Sequence, residues 1–152
     1  MKLLFSLVLT IVSFSGFAQK NAEEEGIKNT INQLFTAMRN RDTALLKAAF
    51  APTAVLQTIA PAKDGSLQVR TEELAGFIKA IGTPGKDLLD ERIQFGSILV
   101  DGPMAAVWTP YEFYLGTRFS HCGVNSFQLV KLDGNWKIQY IIDTRRKNGC
   151  QQ

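Results

Sequence analysis

The side chains best suited to chemistry are one histidine and the charged residues that strand pairing would set beside it. His121 is the only histidine of the chain. A histidine next to a carboxylate works as a general acid or base, because the carboxylate fixes its tautomer and raises its pKa. Glu112 is the expected carboxylate, and Arg146 on the far side suits an anionic group of a substrate. Glu91 completes the row. The same row also reads as a structural His–Glu–Arg network that satisfies polar groups where a sheet meets its helices. Further in, Phe95, Trp108, Asn125, Tyr140 and Thr144 place a few polar groups among aromatics, which is how small-molecule pockets are lined. The alternative is that helix side chains fill that space.

These placements rest on hairpin register. From Leu88 the apolar residues alternate with period two, and four long strands are expected, about 88–100, 103–115, 118–132 and 135–146. Asp101-Gly102, Gly116-Thr117 and Asp133-Gly134 are two-residue turn signals. Such turns make the flanking residues partners, and a slip of one residue sends every side chain to the other face. Val100 then faces Pro103, Leu115 faces Arg118 and Leu132 faces Asn135. One face carries the row Glu91, Glu112, His121 and Arg146 at one end, and the apolar row Leu99, Met104, Leu129 and Ile138 at the other. Val107, Thr109, Tyr111, Phe113 and Ile141 go to the outer face, with Asp143 and Arg145 as an exposed ion pair. A half-apolar outer face is a feature of dimer interfaces. Pro110 marks a bulge or an edge, which would shift Glu112 to the other face. A bulge reversing the last strand's parity would turn Asp143 into a pocket carboxylate.

The elements before these strands are mainly helical. Ile27, Ile31, Leu34, Phe35 and Met38 recur at helical spacing and predict a helix over about 22–40, with Glu23 to Glu25 as its solvated start. Asp42 caps a second helix, Thr43 to Phe50. Residues 54–60 and 67–70 form a small hairpin. Thr71 caps a third helix, whose apolar face is Leu74, Phe77, Ile78 and Ile81. Ahead of all this, Lys2, the apolar run Leu3 to Phe14 and Gly16-Phe17-Ala18 have the form of an export signal. Residues 1–18 are therefore expected to be removed, leaving one domain over residues 19–152 in a periplasmic or secreted protein. The apolar run is shorter than the roughly 20 residues that span a bilayer, so no membrane association is expected after its removal.

Composition narrows the classes. The chain has 152 residues, 45% of them hydrophobic and 20% charged, with a net charge of +3. Disordered, collagen-like and coiled-coil proteins are excluded, and the charge is too mild to argue for nucleic acid. Two cysteines, Cys122 and Cys150, suggest one disulfide in an oxidising compartment, worth roughly 3–4 kcal/mol. Two free thiols are the alternative. Two cysteines and one histidine do not make a zinc site. No dinucleotide, P-loop or nucleophile-elbow motif occurs, so no cofactor is expected.

Three helices, a small hairpin and a four-strand meander, with Phe119-Ser120-His121-Cys122-Gly123-Val124-Asn125-Ser126-Phe127, Asp133-Gly134-Asn135-Trp136-Lys137-Ile138 and Asp143-Thr144-Arg145-Arg146, make a recognisable order. It resembles the NTF2-like (nuclear transport factor 2-like) superfamily, in its lumazine-binding branch. The resemblance implies an α+β cone, three N-terminal helices packed on a strongly curved antiparallel sheet. The superfamily holds ketosteroid isomerases, polyketide cyclases, dehydratases and scaffold domains, so fold alone does not choose among them. The first strand, Ala54 to Ala60, lacks the carboxylate that isomerase chemistry wants there, and the first helix lacks a tyrosine. Three functions follow. One is a small-molecule binder with an apolar cone-shaped pocket, working as a homodimer through the outer sheet face. The second is an enzyme using His121 as acid or base. The third is a dimeric scaffold without ligand.

Overall fold

The computed structural model describes residues 12–150. Most of the expected export signal, residues 1–18, lies outside the described residues. The long helix α1, Val12–Asn40, is followed by α2, Thr43–Ala49. The strands β1, Phe50–Pro61, and β2, Leu67–Glu72, form the small hairpin, and α3, Leu74–Gly82, comes next. The rest is strand: β3, Leu89–Ile93; β4, Ile98–Asp101; β5, Met104–Leu115; β6, Arg118–Leu132; and β7, Asn135–Arg146. The sheet runs β2-β1-β7-β6-β5-β3, with β4 also paired to β5. It is mixed rather than antiparallel throughout, because β1 lies parallel to β7.

The amphipathic stripe of α1 enters the cone as expected. Ile27, Ile31, Leu34, Phe35 and Met38 are all buried, against Val107, Phe127, Leu129 and Ile138 of the sheet. Phe35 and Phe127 meet edge to face at 6.3 Å, a geometry that aligns one ring's positive edge with the other's negative face. Asp42 caps α2, its Oδ1 accepting from the Leu45 amide at 2.9 Å. Two local expectations fail. Thr71 caps nothing, because it stays in β2 opposite Gln57, and α3 starts after Glu73 without a side-chain cap. Glu23 is no solvated helix start. Its carboxylate accepts from Trp136 Nε1 at 2.9 Å and Lys131 Nζ at 2.6 Å, and so ties α1 to the far end of the meander.

The register departs from simple hairpins at three places, and these decide which residues face the helices. Both Leu115↔Arg118 and Leu132↔Asn135 pair as the turns require. Between Tyr114↔Phe119 and Phe113↔His121, however, β6 holds an extra residue, Ser120. Between Leu129↔Ile138 and Gln128↔Tyr140, β7 holds an extra residue, Gln139. Each bulge reverses side-chain parity for the remainder of the pairing. The third departure is at β4, where Asp101 pairs with Met104, so the turn is Gly102-Pro103. Pro110 is not the bulge: it pairs regularly with Val124. Its carbonyl accepts from Gln94 N at 2.9 Å. A residue's nitrogen and carbonyl share one side of a strand, so the missing N–H of Pro110 faces the break between β3 and β4 and costs no bond to β6.

Cys122 and Cys150 are joined, with Cα atoms 5.8 Å apart. The bond ties the start of β6 to the segment after β7. A disulfide of this kind points to a non-cytoplasmic location. No helix among the described residues is long and apolar enough to cross a membrane.

Candidate functional site

The concave face of the sheet, α1 and α3 line a partly open cavity of about 520 Å³. Most of its wall is apolar, from Leu34, Met38, Phe77 and Ile81 on the helices to Leu56, Phe113 and Ile141 on the strands. Its polar end is built by four neighbouring strands: Glu91 on β3, Tyr111 on β5, His121 and Asn125 on β6, and Asp143 and Arg145 on β7. The two bulges produce this set. Ser120 turns Tyr111 and Phe113 inward beside His121, and Gln139 turns Ile141, Asp143 and Arg145 inward beside Asn125.

The polar groups form two connected units. In one, Asn125 Nδ2 donates to Glu91 Oε1 at 2.8 Å. Glu91 Oε2 meets no donor among the described residues, and the half-buried side chain lines the cavity. Burial among apolar side chains pushes the Glu91 carboxyl up to about 7; Asn125 opposes the shift, the Asp143 charge adds to it, and Arg145 opposes it. In the other unit, Asp143 Oδ2 accepts from Tyr111 Oη at 3.0 Å and from Arg145 Nε at 2.9 Å. Tyr111 is buried, and that burial, followed by the charges of Asp143 and Glu91, raises its phenol well above the ordinary tyrosine range. Burial disfavours the charge of Arg145, but its bond to Asp143 and the nearby charges of Asp143, Tyr111 and Glu91 together outweigh this and hold its pKa above the ordinary arginine value.

His121 stands between the rings of Tyr111, at 5.7 Å, and Phe113, at 5.1 Å. Its Nδ1 lies 3.0 Å from Ser120 Oγ, the hydroxyl of the bulge residue. Burial first, and then the positive charge of Arg145, hold its pKa below the ordinary histidine value. The ring is therefore neutral at pH 7. That is opposite to the raised pKa expected from a carboxylate neighbour.

The other residues singled out in the sequence are placed elsewhere. Glu112 is on the outer face, where Tyr114 Oη donates to it at 2.8 Å, so it does not meet His121. Trp108 is also outward and 52% exposed. Tyr140 is outward and donates to Gln57 at 2.6 Å. The Thr144 hydroxyl accepts from the Val124 amide at 3.2 Å. Arg146 donates to the Gly149 carbonyl at 3.2 Å, and Arg145 takes the inward position expected of it. Phe95 sits in the break between β3 and β4 and packs on the core. Of the residues expected on the inner face, the structure thus brings Glu91, His121 and Asn125 to the polar end of the cavity, and adds Tyr111, Asp143 and Arg145. One signal for the second bulge is present in the sequence: Tyr140-Ile141-Ile142 interrupts the alternation of β7 and marks a change of phase. Among the described residues, no group of three or more His, Cys, Asp or Glu side chains is arranged to hold a metal ion.

Comparison with known proteins agrees with this architecture. A family model described as "putative lumazine-binding" matches residues 22–140. An NTF2-like protein of unknown function from Shewanella baltica superposes with a TM-score of 0.66 at 14% identity, over 84% of this chain and 96% of its own. An NTF2-like protein with a cystatin-like fold from Novosphingobium aromaticivorans gives 0.72 at 9% identity, over 91% and 92%. One from Cytophaga hutchinsonii gives 0.63 at 20% identity, over 81% and 98%. At such identities the likeness carries the fold alone. A search of curated proteins finds no match.

Proposed function

This chain belongs to the family described as "putative lumazine-binding", within the NTF2-like superfamily, and from that premise we propose that it is an exported protein that binds a small, partly aromatic or apolar molecule in its cone. The observation that carries this reading is the cavity of about 520 Å³, apolar along most of its wall and polar at one end. It exceeds the roughly 300 Å³ at which ligand pockets begin. The family description supports a small-molecule ligand. Export is supported by the apolar run behind Lys2, the small residues at Gly16 and Ala18, and the disulfide.

Native mass spectrometry of protein purified from its own host tests the reading. The protein is expected to carry a small-molecule adduct. Ala80→Trp, which adds bulk to the cavity wall from an exposed position of α3, is expected to lose it. Wild-type protein free of adduct, with no gain on incubation with a host extract, counts against the proposal.

Homodimerisation through the outer sheet face is part of the same reading. Leu99, Met104 and Trp108 are 66%, 54% and 52% exposed on or beside that face. Trp108→Glu is expected to shift the gel-filtration volume to that of a monomer; an unchanged volume would remove this part of the proposal. One observation favours a second reading, an enzyme with His121 as acid or base: His121 opens on the same cavity as Glu91 and Arg145. In that reading Ser120, not Glu112, holds the ring.

A further inference from the structure

We propose that the molecule bound in the cavity is an organic cation with a flat apolar body, its positive charge paired with Glu91 beside the ring of Phe113. The inference names the ligand class of the binding reading above and rests on it. Glu91 and Phe113 are direct register partners across β3 and β5. Phe113 is in turn the partner of His121 on β6. Side chains paired in this way stand about 5 Å apart on one face of a sheet. Asn125 holds Glu91 Oε1 at 2.8 Å, while Oε2 has no donor among the described residues. One carboxylate oxygen is therefore free to meet a cation, and the face of an aromatic ring attracts the same charge. The rings of Phe35, Phe77 and Tyr111 continue the lining and suit a flat apolar body.

The other charges around the cavity leave Glu91 uncompensated. Asp143 and Arg145 of β7 are bonded to each other at 2.9 Å and offset one another. Arg70 and Glu72 lie two residues apart on the same side of β2 and are a second pair of opposite charges. They stand on the opposite edge strand of the sheet from Glu91. His121 is neutral at pH 7, and Tyr111 keeps its phenol proton. The parts of β1, α1 and α3 that line the cavity carry no ionisable side chain. Three carboxylates thus face two guanidiniums, and the charge left over is negative. Burial raises the Glu91 carboxyl to about 7 against the pull of Asn125 and Arg145, so the groups present do not balance its charge. A bound cation would. An anion would meet the same carboxylate and would have to share Arg145 with Asp143. Because the empty site holds a proton on Glu91 below about 7 and a cation favours the ionised form, binding expels that proton. Affinity then rises with pH up to about 7 and levels off above it.

N-methylquinolinium, a flat cation whose charge does not depend on pH, is the probe. Methylnaphthalene is its uncharged counterpart of the same shape, and naphthoate an anionic one. Calorimetric titration reads all three. At about pH 8 the cation is expected to bind at least about tenfold more tightly than either of the others. Its affinity should rise by up to about tenfold per pH unit below about 7. Titrations at about pH 6 in buffers of different ionisation heat should show a proton released as the cation binds. Glu91→Gln should abolish the preference, the pH dependence and the proton release together. Equal or tighter binding of methylnaphthalene or naphthoate overturns the ligand class and leaves the binding reading standing. So does a cation affinity that stays flat across about pH 6 to 8, or a preference that survives Glu91→Gln. Binding of none of the three overturns both.

Discussion

Gly123→Ala is expected to leave the protein largely unfolded, with a loss above about 4 kcal/mol, in the range reserved for mutations with a specific steric cause. A methyl group at this position in β6 would run into the backbone carbonyl of Thr144 on β7, with the carbonyl carbon at 2.8 Å, and would lie 2.9 Å from Tyr111 Cε1. Such distances require movement, and neither neighbour can yield cheaply. The Thr144 carbonyl is fixed in the ladder and accepts from Tyr111 Oη at 3.0 Å. Tyr111 is buried, and displacing it also breaks its bond to Asp143. Circular dichroism and urea unfolding read the outcome; a variant melting near the wild-type midpoint would refute this account of Gly123.

The second large effect is a fall in stability as pH rises. The Glu91 carboxyl ionises near its ordinary 4.5 in the unfolded chain and near 7 in the fold. Between those values the folded state holds a proton that the unfolded state has lost, so raising the pH favours unfolding. The contribution of Glu91 is therefore fully present below about pH 4.5 and lost as pH passes through about 7. At 1.36 kcal/mol for each pH unit, the difference is about 3 kcal/mol. Glu91→Gln removes the titration. Its unfolding free energy should be nearly level over this window where the wild type declines, and it should be the more stable protein above about pH 7. Parallel pH profiles for the two proteins would show that Glu91 is not held in a desolvated site.

The fold was legible because its signals are local and repeated. The 3.6-residue stripe from Ile27 to Met38 and the turns at Gly116-Thr117 and Asp133-Gly134 each specify an element without reference to anything distant. The site was less legible because it depends on parity, which accumulates from the turn outward. One extra residue at Ser120 and one at Gln139 exchange the two faces of β5 and of most of β7 relative to β6. His121 and Asn125 kept their place because β6 is the strand against which the others are counted. Glu112, Trp108, Tyr140 and Arg146 moved outward together, and Tyr111, Phe113, Asp143 and Arg145 replaced them for the same reason. Pro110 drew attention as the irregular residue, but a proline facing a break in the neighbouring strand disturbs nothing. Glu91 stayed inside because a further irregularity, the break between β3 and β4, shifts its register against β5 by one residue.

The parallel contact of β1 with β7 bears on how the molecule reaches this state. From β5 to β7 every new strand joins its immediate predecessor across a two-residue turn, so that sheet can grow by short loop closures. The strand β1 waits longer. Its partner is far along the chain, as in the Gln57–Tyr140 hydrogen bond between residues 83 positions apart. Contacts of such separation carry the loop entropy that slows folding. The meander is therefore expected to be in place before β1 docks, and β1 brings Leu56 and Thr58 to the cavity wall. On that order the β1 side of the cavity wall is completed last, so a molecule present during folding is expected to meet an open trough rather than a finished pocket.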